Sequence, residues 1–204
     1  MMLKTFIKGG VHPEENKLSA GSPIQTAPVP AEVQISLGQS LGTPAKAIVA
    51  KGDLVKTGQL IARGEAFISA NVHSSVSGKV VKFDDIDDQS GYRRTAVIIA
   101  TEGDEWIDTI DHSTELIKNC TLSPEEIIEK IHEMGIVGLG GATFPTKVKM
   151  MVPQGKKAEI LILNGVECEP YLTSDHRIML EKGEEFAIYE LRFTNYELRF
   201  TNYD

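Results

Sequence analysis

Residues 48–83 read IVAKGDLVKTGQLIARGEAFISANVHSSVSGKVVKF, and this stretch decides the fold of the first half of the chain. Its most regular part is the string G-D-x-V-x-x-G-Q-x-I at Gly52–Ile61. Glycine and aspartate favour turns, and the valine, leucine and isoleucine between them supply the inward side chains of short strands. Similar β-rich runs continue on both sides, separated by Gly, Pro and Asp, which predicts a small sandwich or barrel. The predicted strands are Glu32–Leu37, Ala45–Ala50, Gln59–Arg63, Gly78–Phe83 and Thr95–Thr101.

The string at Gly52–Ile61 resembles the biotinyl/lipoyl carrier fold, a barrel-sandwich hybrid. In such carriers, the hairpin after a Glu-Ala pair presents a lysine for covalent attachment. Here that hairpin, Glu65–Asn71, reads EAFISAN and contains no lysine. The resemblance therefore predicts the fold without the carrier chemistry. His73, beside the hairpin, is predicted to be a surface histidine rather than a catalytic one.

Composition excludes several functional classes. The 204 residues carry a net charge of −8, from 21 basic and 29 acidic side chains, and show no basic face, so we expect no nucleic-acid partner. No apolar run approaches the ~20 residues of a membrane-spanning helix, and the N-terminus lacks the apolar core of a signal peptide. The two cysteines, Cys120 and Cys168, form no C-x-x-C pair, which predicts no zinc or iron–sulfur site from this chain and two free thiols. A single disulfide is the alternative.

The C-terminal end has a different character. Residues 189–195 and 196–202 are both YELRFTN. Apolar and polar residues alternate as in a strand, but a repeat of odd length turns the second copy's apolar residues to the other face. We expect residues 187–204 to be a disordered tail derived from a frameshift. A short interaction strand is the alternative.

Residues after 120 have helical signals. Ser123 and Glu126 form a capping box around Pro124, and apolar residues follow at helical spacing up to Gly135, a plausible terminator. A glycine-rich loop, a short helix after Pro145, a buried strand at Glu159–Leu163, the loop VECEPY at 166–171 and a helix at Asp175–Lys182 come next. This order is typical of an α/β domain.

The glycine-rich loop is the chemical centre of this region. Gly138, Gly140 and Gly141 allow backbone N–H groups to approach a ligand closely, and Lys149 adds a cation suited to phosphate. The Rossmann fingerprint fails because Thr143 occupies its third glycine position, and the Gly-Lys-Ser/Thr of a Walker loop is missing. The pattern predicts a phosphate site, with a tight helix–helix connection as the alternative.

Polar side chains also follow the predicted strand at 159–163. Asn164, Glu167 and Glu169 lie just beyond its carboxyl end, where α/β folds bind ligands. A glutamate here could hold the edge of a flavin ring or a ribose, and the alternative is a solvated surface acid. Cys168 lies between two acids, which would raise a thiol pKa, so it is not predicted to be a nucleophile.

Two motifs carry a family resemblance: G-L-G-G-A-T-F-P-T-x-x-K at Gly138–Lys149 and L-N-G-V-E-C-E-P-Y at Leu163–Tyr171. They resemble the flavin-carrying, NADH-oxidising subunit of respiratory complex I. The similarity is closer to the C subunit of the Rnf electron-transport complex, because the opening K-G-G-V-H-P-E-E-N-K at Lys8–Lys17 and the lysine-less barrel also agree.

The resemblance implies a peripheral subunit at the cytoplasmic face of the bacterial inner membrane. Its complex would move electrons between ferredoxin and NAD and translocate ions, and its partners would be the other subunits. FMN and NAD(H) are the implied cofactors, and the family's 4Fe-4S clusters have no ligands in this chain. The implied FMN-loop residues are Gly138, Gly140, Gly141 and Lys149, with Asn164 and Glu167 in the flavin-contacting loop and Phe144 where the nicotinamide stacks near the flavin.

The chain also departs from this family. Leu139 replaces an arginine and Thr143 a glycine of the complex I version, and the family continues well beyond residue 186. We therefore expect a truncated α+β member that binds FMN weakly or not at all. Its predicted parts are an N-terminal segment (1–29), the barrel-sandwich hybrid (30–105), the start of an α/β FMN domain (106–186) and the tail (187–204). A non-catalytic binding or scaffold module that docks on partner subunits is the alternative function.

Overall fold

The computed structural model describes residues 13–88, 91–113, 115, 120–139, 143–158 and 164–185. Two compact units divide them: residues 27–159 form the larger, and 13–26 together with 164–185 form the smaller. The strands in these ranges are β1 (Glu32–Ser36), β2 (Lys46–Ala47), β3 (Leu54–Val55), β4 (Leu60–Arg63), β5 (Val72–His73), β6 (Gly78–Asp87) and β7 (Arg93–Thr101). The helices are α1 (Pro124–Glu133), α2 (Thr146–Met150) and α3 (Ser174–Glu181).

The strands form two antiparallel sheets in the larger unit. One sheet has the order β1-β7-β6-β3 and the other β2-β4-β5. In the first, Val33 pairs with Ile99 and Ile35 with Val97, and a bulge interrupts the pairing of β6 with β7 between Val80 and Lys82. The inward side chains of both sheets meet in one apolar core, which includes Val55, Ile61, Val72, Val80 and Ile99.

The predicted barrel-sandwich hybrid is confirmed. All five predicted strands are present, although the strand predicted at Ala45–Ala50 is reduced to β2. The two-residue strands β3 and β5 were not predicted, because two residues are too few to show a period. Strand β6 continues four residues past its predicted end at Phe83.

Helix α1 begins and ends as its sequence predicts. The Ser123 hydroxyl accepts a hydrogen bond from the Glu126 N–H, and the Glu126 carboxylate accepts one from the Ser123 N–H, which completes the capping box. Gly135 follows the last turn with φ of +65°. Its N–H donates to the His132 carbonyl, and the N–H of the next residue donates to the Ile131 carbonyl. This pair of bonds is a Schellman motif, which favours glycine at that position.

The hairpin without a lysine anchors the end of α1. The Asn71 amide donates to the Glu133 carbonyl over 3.3 Å, and a Cβ on Gly135 would collide with the Asn71 carbonyl oxygen. The same Cβ would lie 3.5 Å from Nδ1 of His73, which is half-buried. His73, which was predicted to be a surface histidine, is thus partly covered by the chain after α1. The hairpin thus fixes the helix that leads into the glycine-rich loop.

The remaining predicted elements have mixed outcomes. The helix predicted at Asp175–Lys182 is confirmed as α3, one residue earlier, and α2 follows Pro145 as predicted. The predicted strand Glu159–Leu163 and the tail at 187–204 lie outside the described residues. The α+β fold class is confirmed. In the described part of the chain, no helix is long and apolar enough to cross a membrane.

Candidate functional site

The base of the glycine-rich loop is closed by backbone hydrogen bonds. Val137 and Pro145 form an antiparallel bridge, and the Gly138 N–H donates to the Phe144 carbonyl over 3.1 Å. The Thr146 N–H donates to the Ile136 carbonyl over 3.0 Å. These bonds hold Gly138 and Phe144 opposite each other at the entrance of the loop. The predicted site residues Gly140 and Gly141 lie outside the described residues.

Lys149 reaches back from α2 to the entrance of the loop. A Cβ built on Gly138 would collide with Nζ of Lys149, so the ammonium lies where any other residue would place its side chain. Lys149 is exposed and forms no ion pair with a carboxylate in the described ranges. Its neighbour Lys147 pairs with Glu129 at 3.9 Å. The ammonium of Lys149 is thus positioned beside the loop and available to an anion.

Thr143 has an unusual backbone conformation. Its φ is +50°, in the left-handed region that β-branched residues avoid. Its carbonyl accepts a hydrogen bond from the Leu41 N–H over 3.2 Å, which ties the loop to the barrel. The structure thus gives a physical reason why a glycine would suit this position.

The other two predicted site residues lie in the smaller unit. The Asn164 side-chain oxygen accepts a hydrogen bond from the Val166 N–H over 3.0 Å. The Glu167 carboxylate accepts bonds from the His176 N–H, over 3.1 Å, and from the Ser174 hydroxyl, over 3.4 Å. Glu167 therefore caps the first turn of α3, which has no side-chain cap at Thr173. This is a structural role that the sequence reasoning did not assign to it.

A cleft of about 390 Å³ lies beside Glu167 within the smaller unit. Residues 166–170 form one wall, and Pro13, Glu15 and Lys17 form the other. The lining therefore joins the predicted flavin-contacting loop to the chain's N-terminal segment. Cys168, on the first wall, and Cys120 are both exposed free thiols. Among the residues that the structure describes, no cluster of three or more His, Cys, Asp or Glu side chains could hold a metal ion.

Comparison with known proteins agrees with this architecture. Residues 5–104 match the family described as RnfC barrel sandwich hybrid domain, and residues 131–188 match the Nuo51 FMN-binding domain. The two matches define the class: a barrel-sandwich hybrid followed by a flavin-binding domain of the complex I type.

The curated relatives to which the chain is similar are C subunits of ion-translocating oxidoreductase complexes. The chain is 47% identical over 186 residues to the C subunit of the proton-translocating ferredoxin:NAD(+) oxidoreductase complex of Clostridium ljungdahlii, a match that covers 90% of this chain and 40% of the relative. It is 42% identical over 183 residues to the C subunit of the Na(+)-translocating complex of Acetobacterium woodii, covering 89% and 41%. With the C subunit of the Rhodobacter capsulatus ion-translocating oxidoreductase complex, identity is 40% over 190 residues, covering 91% and 36%.

By these matches, the chain is similar to the RnfC family. It spans about 40% of the length of the curated relatives that it matches. Both motifs that carried the resemblance, at Gly138–Lys149 and Leu163–Tyr171, lie inside the matched FMN-binding domain.

Proposed function

We propose that the loop between Val137 and Pro145, with Lys149, binds the phosphate of FMN. The observation that carries this proposal is the approach of the Lys149 ammonium to the Cα of Gly138, in space that a Cβ would fill. A positioned ammonium forms charge-assisted hydrogen bonds with phosphate oxygens, which are about twice as strong as neutral ones. Since α2 has only five residues, we assign this anion binding to the lysine rather than to a helix dipole.

The residues present fit FMN. Lys149 would hold the phosphate, and Gly140 and Gly141 would let the backbone approach it. We propose Phe144, half-buried at the loop entrance, as the residue that would stack the nicotinamide, as the family resemblance implies. We also propose Asn164 and Glu167 as residues of the flavin-contacting loop, as the family resemblance implies. Bound FMN supplies the exchange between hydride chemistry at NAD(H) and single-electron chemistry at an iron–sulfur carrier.

We also propose that this chain supplies part of the C subunit of an ion-translocating ferredoxin:NAD oxidoreductase complex. The names of its relatives support that assignment. The partners would be the other subunits of the complex, ferredoxin and NADH, and the location the cytoplasmic face of the membrane. We propose residues 30–105 as the barrel module and 106–186 as the start of the FMN domain.

The proposal is tested by titrating FMN into the full chain while flavin fluorescence is followed. We expect a Kd no tighter than about micromolar, or roughly −8 kcal/mol, because a few charge-assisted hydrogen bonds must offset the immobilisation of the ligand. Lys149→Met should weaken binding by about 10- to 100-fold, equivalent to one charged hydrogen bond of ~1.5–3 kcal/mol. Gly138→Ala should weaken binding less than Lys149→Met, because the end of the lysine side chain can shift away from the added methyl group.

Two controls separate phosphate binding from loss of folding. Lys147→Met removes a lysine from the same helix, and we expect it to leave the affinity for FMN within about threefold, since surface ion pairs contribute little. Riboflavin lacks the phosphate, so its binding should not respond to Lys149→Met. If Lys149→Met bound FMN as tightly as the unmodified chain, the phosphate site would be refuted. A folded chain that bound no flavin would favour the scaffold module instead.

A further inference from the structure

The N-terminal segment 13–24 makes a series of hydrogen bonds with residues more than 150 positions later in the chain. The Lys17 ammonium donates to the Glu169 carbonyl over 3.2 Å and to the Leu172 carbonyl over 2.8 Å. In return, the Tyr171 N–H donates to the Glu15 carbonyl over 2.8 Å. Segment 13–24 therefore holds the loop by donating to two of the loop's carbonyls and by accepting from one of its amides.

These bonds surround the most unusual backbone of the loop. Tyr171 has φ of +71°, which is uncommon for a residue with a bulky side chain. The carbonyls that Lys17 engages lie on either side of Tyr171, and the Glu15 carbonyl accepts from its amide. Asn16, also in the left-handed region with φ of +46°, turns the N-terminal segment between these two contacts. A left-handed conformation persists where the surroundings hold it, and here the surroundings are supplied by segment 13–24.

A second group of contacts fixes helix α3 to the same segment. The hydroxyls of Ser19 and Thr173 are 2.8 Å apart, and the Arg177 guanidinium donates to the Ala20 carbonyl over 3.2 Å. The Ile24 N–H donates to both oxygens of the Glu181 carboxylate, over 3.0 and 3.1 Å. Hydrogen bonds from Arg177 and from the Ile24 amide hold the pKa of Glu181 below its ordinary value.

The loop and the helix meet at Glu167, whose carboxylate caps the first turn of α3. We propose that segment 13–24 is a brace for the loop 167–173, and that Lys17 is a positioning residue for Glu167 in the flavin site. This role rests on the proposed function, because it assumes that Glu167 contacts the flavin. Lys17 itself donates to backbone carbonyls and acts on the ligand only through the loop.

The brace is tested first without any ligand, by hydrogen exchange of the full chain. Lys17→Met should speed exchange of the Tyr171 amide by about tenfold or more, because local opening sets the exchange rate. Exchange in strand β7 reports whether the barrel is still folded. Lys182→Met removes an exposed lysine of the same unit, paired only with Glu185 among the described side chains, and should leave the loop unchanged. Lys17→Arg keeps charge and several donors, and should restore part of the protection.

The positioning role is then tested with FMN and riboflavin. Lys17→Met should weaken binding of both by a similar factor, about tenfold, since the loop contacts the part that they share, whereas Lys149→Met should affect FMN alone. Lys17→Arg should restore part of both affinities.

The outcomes separate this role from the proposed function. Unchanged exchange at Tyr171 in Lys17→Met would refute the brace. Faster exchange with unchanged flavin affinity would refute the positioning role. If the unmodified chain bound neither flavin, the proposed function would fail and the positioning role with it, and the exchange comparison would still decide whether segment 13–24 holds the loop.

Discussion

The barrel and the helices of this chain are stabilised in different ways. In the barrel, Ile61, Val80 and Ile99 are fully buried, and long antiparallel strands bring residues far apart in sequence into one core. Helices α1, α2 and α3 contain no buried residue. In α3, Leu180 is 62% exposed. Apolar burial therefore stabilises the barrel, whereas caps, ion pairs and backbone hydrogen bonds define the helices.

The helices that carry the candidate site depend on a few polar contacts. Helices of five to ten residues are marginal in water without tertiary contacts. The contacts that hold these helices are the Asn71 amide at the end of α1 and the backbone bond from Thr146 to Ile136 at the start of α2. At α3 they are the Glu167 carboxylate, which caps the first turn, and the bond from Arg177 to the Ala20 carbonyl. Substitutions in the helical parts should therefore change binding more than global stability, and substitutions in the barrel core should do the reverse.

The largest effect that tests the comparison is in the barrel core. Ile99→Ala should lower the free energy of unfolding by about 2–5 kcal/mol, the usual loss for a buried isoleucine. Ile178→Ala in α3 removes the same atoms from a side chain that is 43% exposed, and should cost about 0.5 kcal/mol or less. Urea denaturation followed by circular dichroism measures both. Equal losses would show that α3 depends on apolar burial as much as the barrel does, which would contradict the contrast between barrel and helices.

Local signals made much of the fold predictable. Alternation and turn residues located the five strands, and the capping box and Gly135 located α1, because these signals act within a few residues. The extension of β6 through Asp84, Asp85 and Asp87 gave no such signal, since aspartate disfavours strands. It depends on β7: the Thr95 hydroxyl donates to Asp85 over 3.0 Å, and the backbone of β6 pairs as far as Asp87.

The site was less predictable because its residues come close to one another only in the folded chain. The spacing of Gly138 and Lys149 indicated a loop and a nearby cation, but the approach of the ammonium to Gly138 depends on the turn at Pro145. The brace was not predicted at all. The P-E-E-N-K of residues 13–17 contributed to a resemblance, yet its contacts with Glu169 and Leu172 span more than 150 residues, and no local pattern reports such a distance.

A smaller effect tests the strain in the loop. Thr143→Gly should raise the free energy of unfolding by up to about 1 kcal/mol, because relief of a left-handed conformation, worth ~1–2 kcal/mol, exceeds the added chain entropy of glycine, ~0.5–1 kcal/mol. Thr95→Gly in β7, where the backbone is extended, should instead lose about 1 kcal/mol. Thermal denaturation of both variants measures the difference. If both lost stability equally, the conformation at Thr143 would carry no strain.

The smallest effect concerns the junction between the barrel and α1. Burial lowers the pKa of His73 below 6.5, and a hydrogen bond with the Glu133 backbone offsets this only in part. Burial, with Lys147 as the next cause, also lowers the pKa of His132 on α1. Below pH 6.5, the unfolded chain therefore binds protons that the folded chain resists, and stability is lost as the pH falls through this range.

His73→Gln tests that junction because it removes the titration and keeps a polar side chain. The melting temperature of the unmodified chain should fall between about pH 7.5 and 5.5, and the fall should be smaller in His73→Gln, by about a degree or two on the scale of small domains. His132→Gln measures separately how much the titration of His132 contributes to the fall in melting temperature. Asp84, Asp111 and Glu181 have pKa values below their ordinary 3.8 to 4.5, so these carboxylates stay ionised across this window. An equal fall in His73→Gln and the unmodified chain would mean that covering His73 with the end of α1 contributes nothing to the pH dependence, and that the junction tolerates a charge.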